Sequence, residues 1–289
     1  MPYRQSRFAI LAPWAVILYV CLAATSDPAR AQTGGGTNGP AGGDTPVSKR
    51  QEAITAIPMS RLTPAAQQRI TAVTSRTTLY RHLSQQTIEC DADLFLFIVR
   101  NPEVLVGIWD LMEITQIQTQ RLDTYQLRAV DGSGTDCTVD LVYGDAAVHV
   151  YVADGFYEGK LVANPINGKG VFVLRSTYRT DALGNTVVEG TLDCFIQIEQ
   201  IAADLILRTF GPLIGRTADG NFAETARFID QLGTNARRNP SGLEELARRL
   251  PQVSEPTRQR FAAAVRQAAE RYHSTPQVSR IDSTSRTGR

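Results

Sequence analysis

The sequence predicts an α+β domain in which a curved antiparallel β-meander packs around a long C-terminal helix, with two short helices after the first strand. Three observations predict it. From Met112 to Ile198 apolar residues recur at every second position, interrupted by turn signals at Asp131-Gly132-Ser133-Gly134, Gly144-Asp145, Asn167-Gly168 and Gly184-Asn185. Upstream, residues 77–90 are β-branched and polar without helical period, and two short helical patterns follow them. Downstream, from Glu199 to Arg238, the spacing returns to that of a helix.

The elements follow in chain order. Residues 1–31 have the layout of an export signal: Arg4 and Arg7, an uncharged stretch from Phe8 to Ala24, then Ala29-Arg30-Ala31 before Gln32. The expected location is extracytoplasmic, periplasmic or secreted, with a retained membrane anchor as the alternative because the apolar run is at the short limit for a span. Residues 32–48 carry Gly34-Gly35-Gly36 and Gly42-Gly43 and read as a flexible linker. Residues 49–76 hold a lead-in helix that starts at Thr63, with Pro64 at its first position. Residues 77–240 form the main domain.

Within it, Asp91 offers an N-cap to a helix from Ala92 to Val99, and Pro102 restarts the chain into a second helix that ends near Trp109 to Met112. Meander strands are expected at 114–119, 123–130, 136–143, 147–153, 158–163, 170–179 and 186–198. In the last of these, Val188, Leu192, Cys194, Ile196 and Ile198 share one parity, while Glu189, Thr191, Asp193 and Gln197 share the other, so one face should be dry and one wet. The C-terminal helix carries Phe222, Ala226, Ile229 and Leu232 on the side that should lie on the sheet. Phe210-Gly211-Pro212 should kink or divide it. Residues 241–289 read as a weakly helical, basic tail, partly disordered. Phe261, Val265, Ala268 and Tyr272 give it a narrow apolar stripe, and Arg258, Arg260, Arg266 and Arg271 its charge.

Composition restricts the functional classes. The chain has 30 basic and 29 acidic residues, a balance that supplies no field for nucleic acid. Cys90, Cys137 and Cys194 remain after the signal, an odd number that allows one bridge or none. With three histidines and no CxxC or CxxH spacing, no metal or other cofactor is expected. Nucleophile elbows and glycine-rich phosphate loops are absent.

The order of strand, two helices, meander and long helix resembles the START-related helix-grip superfamily, which includes polyketide cyclases and birch-pollen-allergen-like lipid carriers. The segment Thr87 to Pro102 leading to Trp109, the meander, and Asn221-Phe222 to Leu232 carry the resemblance, over roughly 160 of 289 residues. It implies a cavity between the concave sheet and the long helix that holds a hydrophobic small molecule or lipid. No catalytic motif of the family maps onto any position, and a fold does not assign an activity.

Trp109, Tyr125, Phe172, Tyr178 and Phe222 are the expected ligand-binding residues, since pockets of this kind are mostly apolar. No catalytic residue is assigned. His149 alternates with Val148, Val150 and Val152 and reads as a surface histidine if the valines face inward. The expected function is binding without turnover. Two alternatives stand beside it: a cell-envelope interaction module with a filled core, touching the membrane surface through its basic tail, and a cyclase- or hydrolase-like enzyme that uses the cavity.

Overall fold

The computed structural model describes residues 46–158, 164–182, 184–199 and 203–274, with the side chains of 203–217 outside the description. The export signal, most of the linker, the expected strand at 158–163 beyond Glu158 and the last residues of the tail lie outside the described residues.

Local chemistry sets the helix ends. Helix α1 (Pro46–Thr55) and a short 3-10 turn (Met59–Arg61) lead to α2 (Pro64–Ser75), where Thr63 caps by accepting from the Ala66 amide at 3.3 Å. After β1 (Leu79–Glu89), the Asp91 carboxylate accepts from the Asp93 and Leu94 amides, both at 3.1 Å, and opens α3 (Ala92–Arg100). Helix α4 (Glu103–Leu111) follows Pro102 directly, as the sequence predicts.

Six strands complete the sheet: β2 (Gln118–Asp123), β3 (Gln126–Val130), β4 (Thr135–Gly144), β5 (Val148–Tyr157), β6 (Ile166–Thr180) and β7 (Thr186–Ile198). Their order is β1-β7-β6-β5-β4-β3-β2, antiparallel throughout, so the first strand closes against the last. At the β3–β4 turn Gly132 has φ 71° and Gly134 φ 121°, a backbone that disfavours side chains, and Asp131 accepts from the Ser133 and Thr135 amides at 2.8 and 3.0 Å.

Helix α5 (Ala203–Arg238) crosses the concave face. It passes Gly211-Pro212 without a break, contrary to the division expected there. A proline removes one backbone donor, and a helix of 36 residues retains the rest of its ladder. The approach to β1 is tight at Gly233, where an added Cβ would lie 2.4 Å from the Glu89 carbonyl oxygen.

The concave face and the middle of the convex face over β5–β7 are both covered, which corrects the expected division into dry and wet there, while Gln120, Arg128, Thr177 and Arg179 stay exposed. On the convex side Ile57, Leu62, Ile70 and Val73 from the lead-in segment pack on Val150, Val152, Val171, Val173 and Phe195. These valines do face inward, but into this second layer. His149, on the opposite parity, points to the concave side and is fully buried, so it is not a surface histidine. Asp193, assigned to the wet face, is likewise fully buried, accepting from Tyr80 Oη at 2.7 Å, His82 Nδ1 at 2.8 Å and Arg175 at 3.0 Å.

The C-terminal segment also differs from expectation. Helices α6 (Pro240–Arg249) and α7 (Glu255–Ser274) are packed on the core: Leu250, Phe261 and Val265 are buried with Phe95, Trp109 and Leu232. The stripe on α7 is therefore an inward face, with Phe261 stacked on Phe97 at 5.9 Å between ring centres. Its basic residues are engaged too. Arg258 pairs with Glu255 at 3.1 Å, Arg266 with Glu244 at 2.8 Å, and Arg271 with Asp91 at 2.7 Å.

Candidate functional site

Between α5 and the concave sheet lies a cavity of about 50 Å³. Phe95, Ile98 and Val99 of α3 and Leu105 of α4 close one side, Tyr151, Phe172, Leu174 and Leu192 form the floor, and Phe222, Ala226 and Ile229 of α5 form the roof. Each wall follows from a local period. Phe172 and Leu174 are two apart on β6, Tyr151 stands directly across from Phe172, and Phe222, Ala226 and Ile229 fall on one face of α5.

The wall is almost wholly apolar. Thr225 turns its hydroxyl back to the Asn221 carbonyl at 2.9 Å, and Tyr151 donates to the Val99 carbonyl at 2.8 Å. Burial pushes the Tyr151 phenol far above its ordinary range, so it stays protonated. Among the described residues, no carboxylate stands in this wall.

Behind the wall residue Tyr151, His149 stacks on its ring with 6.4 Å between ring centres and 17° between planes. Arg100 donates from Nε to His149 Nε2 at 3.1 Å and from its terminal nitrogen to the Asp145 carbonyl at 3.2 Å. A nitrogen that accepts from a guanidinium carries no proton, so the neutral ring holds its proton on Nδ1. Burial, and then the Arg100 charge, pull the His149 pKa down to about 4, against a smaller upward pull from Asp145. The ring is thus a neutral donor, and its basic nitrogen is already occupied.

Of the five residues expected to bind ligand, Phe172 and Phe222 line the cavity. Tyr178 sits just outside it, half-buried, with its ring edge on Phe95 at 6.3 Å and its hydroxyl donating to the Ala146 carbonyl at 2.8 Å. Trp109 is fully buried on the far side of α4, edge-on to Phe228 at 5.5 Å, and packs the core instead of the cavity. Tyr125 stands in the turn between β2 and β3, 63% exposed and remote from the wall. The aliphatic wall residues Ile98, Leu105 and Leu192 give no signal that distinguishes lining from packing.

All three cysteines are buried and none is joined to another by a disulfide, which decides against a bridge among them. A second, polar depression of about 270 Å³ lies between Asp91, the β6–β7 turn, Arg237 and Arg271. Its arginines are engaged by carboxylates: Arg237 by Glu89 at 2.6 Å, Arg271 by Asp91 at 2.7 Å and Asp93 at 3.2 Å.

A meander closed by its first strand, two short helices at one end and a long helix seated on the concave face define the architecture. It is a helix grip. No family model and no curated protein matches the sequence. Among solved structures, a conserved protein from Geobacillus kaustophilus matches at 11% identity and a TM-score of 0.37, over 53% of this chain and 96% of its own. Ara h 8.0201 matches at 14% identity and 0.28, over 49% and 97%. Norcoclaurine synthase from Thalictrum flavum matches at 11% and 0.33, over 54% and 88%. These likenesses to helix-grip proteins extend over about half of the chain, and they add no functional argument to the geometry.

Proposed function

We propose that this protein is an exported binding protein for a small hydrophobic molecule, held between the concave sheet and α5 and not turned over. One observation carries the reading: a cavity between the sheet and α5 whose wall, among the described residues, is apolar and contains no ionised group. Apolar surface that faces a void forfeits dispersion contacts, so a matching ligand recovers them on entry. The absence of a carboxylate from the wall, and a histidine whose basic nitrogen is taken by Arg100, weigh against acid–base chemistry there. Export is proposed from residues 1–31 alone, and N-terminal sequencing of the protein recovered from cell fractions tests it.

Size constrains the ligand. At about 50 Å³ the cavity is smaller than the ~150 Å³ engineered void that admits benzene, so binding requires the grip to widen. The same observation supports a second reading, a filled core with a surface function. Organic extraction of the purified full-length chain followed by mass spectrometry separates the two. A stoichiometric hydrophobic compound supports the carrier reading. An empty extract, together with no uptake of small apolar probes, would leave the filled core.

A further inference from the structure

We propose that the cavity, once widened by a ligand, gains a polar end at His149 and Ser176, which lie just beyond its present wall, and that this end receives the acceptor oxygen of a carbonyl or carboxylate on an otherwise apolar ligand. The inference rests on the proposed ligand-binding reading and specifies the ligand's chemistry.

Two buried polar groups carry it. His149 is fully buried and Ser176 is 3% exposed, yet His149 Nδ1 and Ser176 Oγ have no hydrogen-bond partner among the described residues. Buried polar groups left unpaired lose their hydration without recompense, so they mark either strain or a place for a ligand group. Here they belong together. His149 lies directly across from Leu174 in the β5–β6 register, and Ser176 is two residues along from Leu174 on the same concave face. Side chains in such a diagonal relation stand about 7 Å apart or less, close enough for one ligand group to meet both.

The orientation of the ring follows from its other contacts. Its Cδ2 and Nε2 edge faces β4, since a Cβ on Gly144 would lie 2.9 Å from Cδ2 and 3.3 Å from Nε2. Nδ1, on the opposite edge, is therefore turned away from β4. The proton on Nδ1 makes it a donor, as the Ser176 hydroxyl is. An acceptor oxygen satisfies both; a ligand donor can pair with the Ser176 hydroxyl, which also accepts, but leaves the Nδ1 proton unpaired.

The cavity stops beside this end, short of both polar atoms. Leu174 and Gly190 are part of its wall, and Gly190 is the cross-strand partner of Ser176. Gly190 puts no side chain beside Ser176, and an added Cβ would come into ordinary contact with Leu174 Cδ1 at 3.9 Å and the Arg175 carbonyl oxygen at 4.0 Å. The charged groups around the ring are the Arg100 guanidinium on its Nε2 side and, more distantly, Asp145, whose carboxylate is held by the Tyr143 hydroxyl and the Ala147 and Val148 amides at 2.6 to 2.8 Å. Arg100 thus supplies positive potential behind the anchor, which favours a carboxylate over a neutral carbonyl if its charge is felt at the oxygen.

The test uses three probes of similar shape, toluene, acetophenone and benzoate, titrated into the full-length chain while NMR follows the His149 ring nitrogens. Both oxygenated probes should bind about tenfold or more tighter than toluene and shift the Nδ1 signal, whereas toluene leaves it in place. In Ser176→Ala and His149→Phe that advantage should fall away, with toluene affinity kept; the serine variant changes little volume and guards against misfolding of the other. Benzoate above acetophenone means that the Arg100 charge reaches the site, and the reverse order means a neutral carbonyl is preferred. Equal binding of all three probes would overturn the polar end and keep the cavity. Binding of none would remove the ligand-binding reading and the anchor with it.

Discussion

Acidification acts on this protein through His149 with a sign and size that the structure sets. The imidazole is fully buried, faces the Arg100 guanidinium, and titrates near 4 in the folded chain, whereas in the unfolded chain it titrates near 6.5. Between those values the unfolded chain binds a proton that the folded chain refuses, so stability falls as the pH drops through that window and is unaffected above it. At about 1.4 kcal/mol per pH unit, the loss accumulated on approaching pH 4 is about 2–3 kcal/mol, a large share of the ~5–15 kcal/mol that stabilises a typical domain. Carboxylates titrate in the same range, so the effect is read as a difference. Urea unfolding at stepped pH should show the wild-type protein losing about 2–3 kcal/mol more than His149→Gln between near-neutral pH and about 4.5. Parallel stability curves for the two proteins would refute the argument, because they would mean that the folded ring takes up its proton as readily as the unfolded one.

Three further outcomes follow from the packing. Gly233→Val should weaken the seat of α5 on β1, because its Cβ meets the Glu89 carbonyl oxygen at 2.4 Å and the Cys90 Cα at 2.9 Å; a loss of about 1–3 kcal/mol in urea unfolding is expected, and unchanged stability would show the helix free to shift. Phe261→Ala should cost about 3–5 kcal/mol by thermal or chemical unfolding, as expected for a fully buried aromatic; a surface helix would lose almost nothing. Cys90, Cys137 and Cys194 should resist thiol reagents in the native protein and react once it unfolds, since all three are buried and burial pushes the Cys90 and Cys194 thiols well above their ordinary range. Rapid native labelling, read by peptide mass spectrometry, would contradict that placement.

Short-range chemistry is what the sequence by itself determined. Thr63 and Asp91 cap helices as read, Pro102 opens α4, and β7 occupies the expected residues 186–198, because caps, prolines and the two-residue alternation act within a few positions of the residues that carry them. The order of elements then leaves few ways to close an antiparallel sheet on a long helix, and the α+β grip follows. Part of the cavity was legible on the same basis, through Phe172 and the Phe222 face of α5.

Only the tertiary structure decided which surfaces are dry. On β5, Val150 and Val152 alternate with His149 and Tyr151, and the alternation reports two faces without saying that both are covered. That answer depends on Ile57, Ile70 and Val73, far upstream in sequence, which bury the convex side. For the same reason the narrow stripe on α7 carries no label for its partner until Phe261 meets Phe97 across more than a hundred and fifty residues of chain. Periodicity is a property of one segment, whereas burial belongs to a pair of segments, so a sequence states the first and leaves the second to the fold.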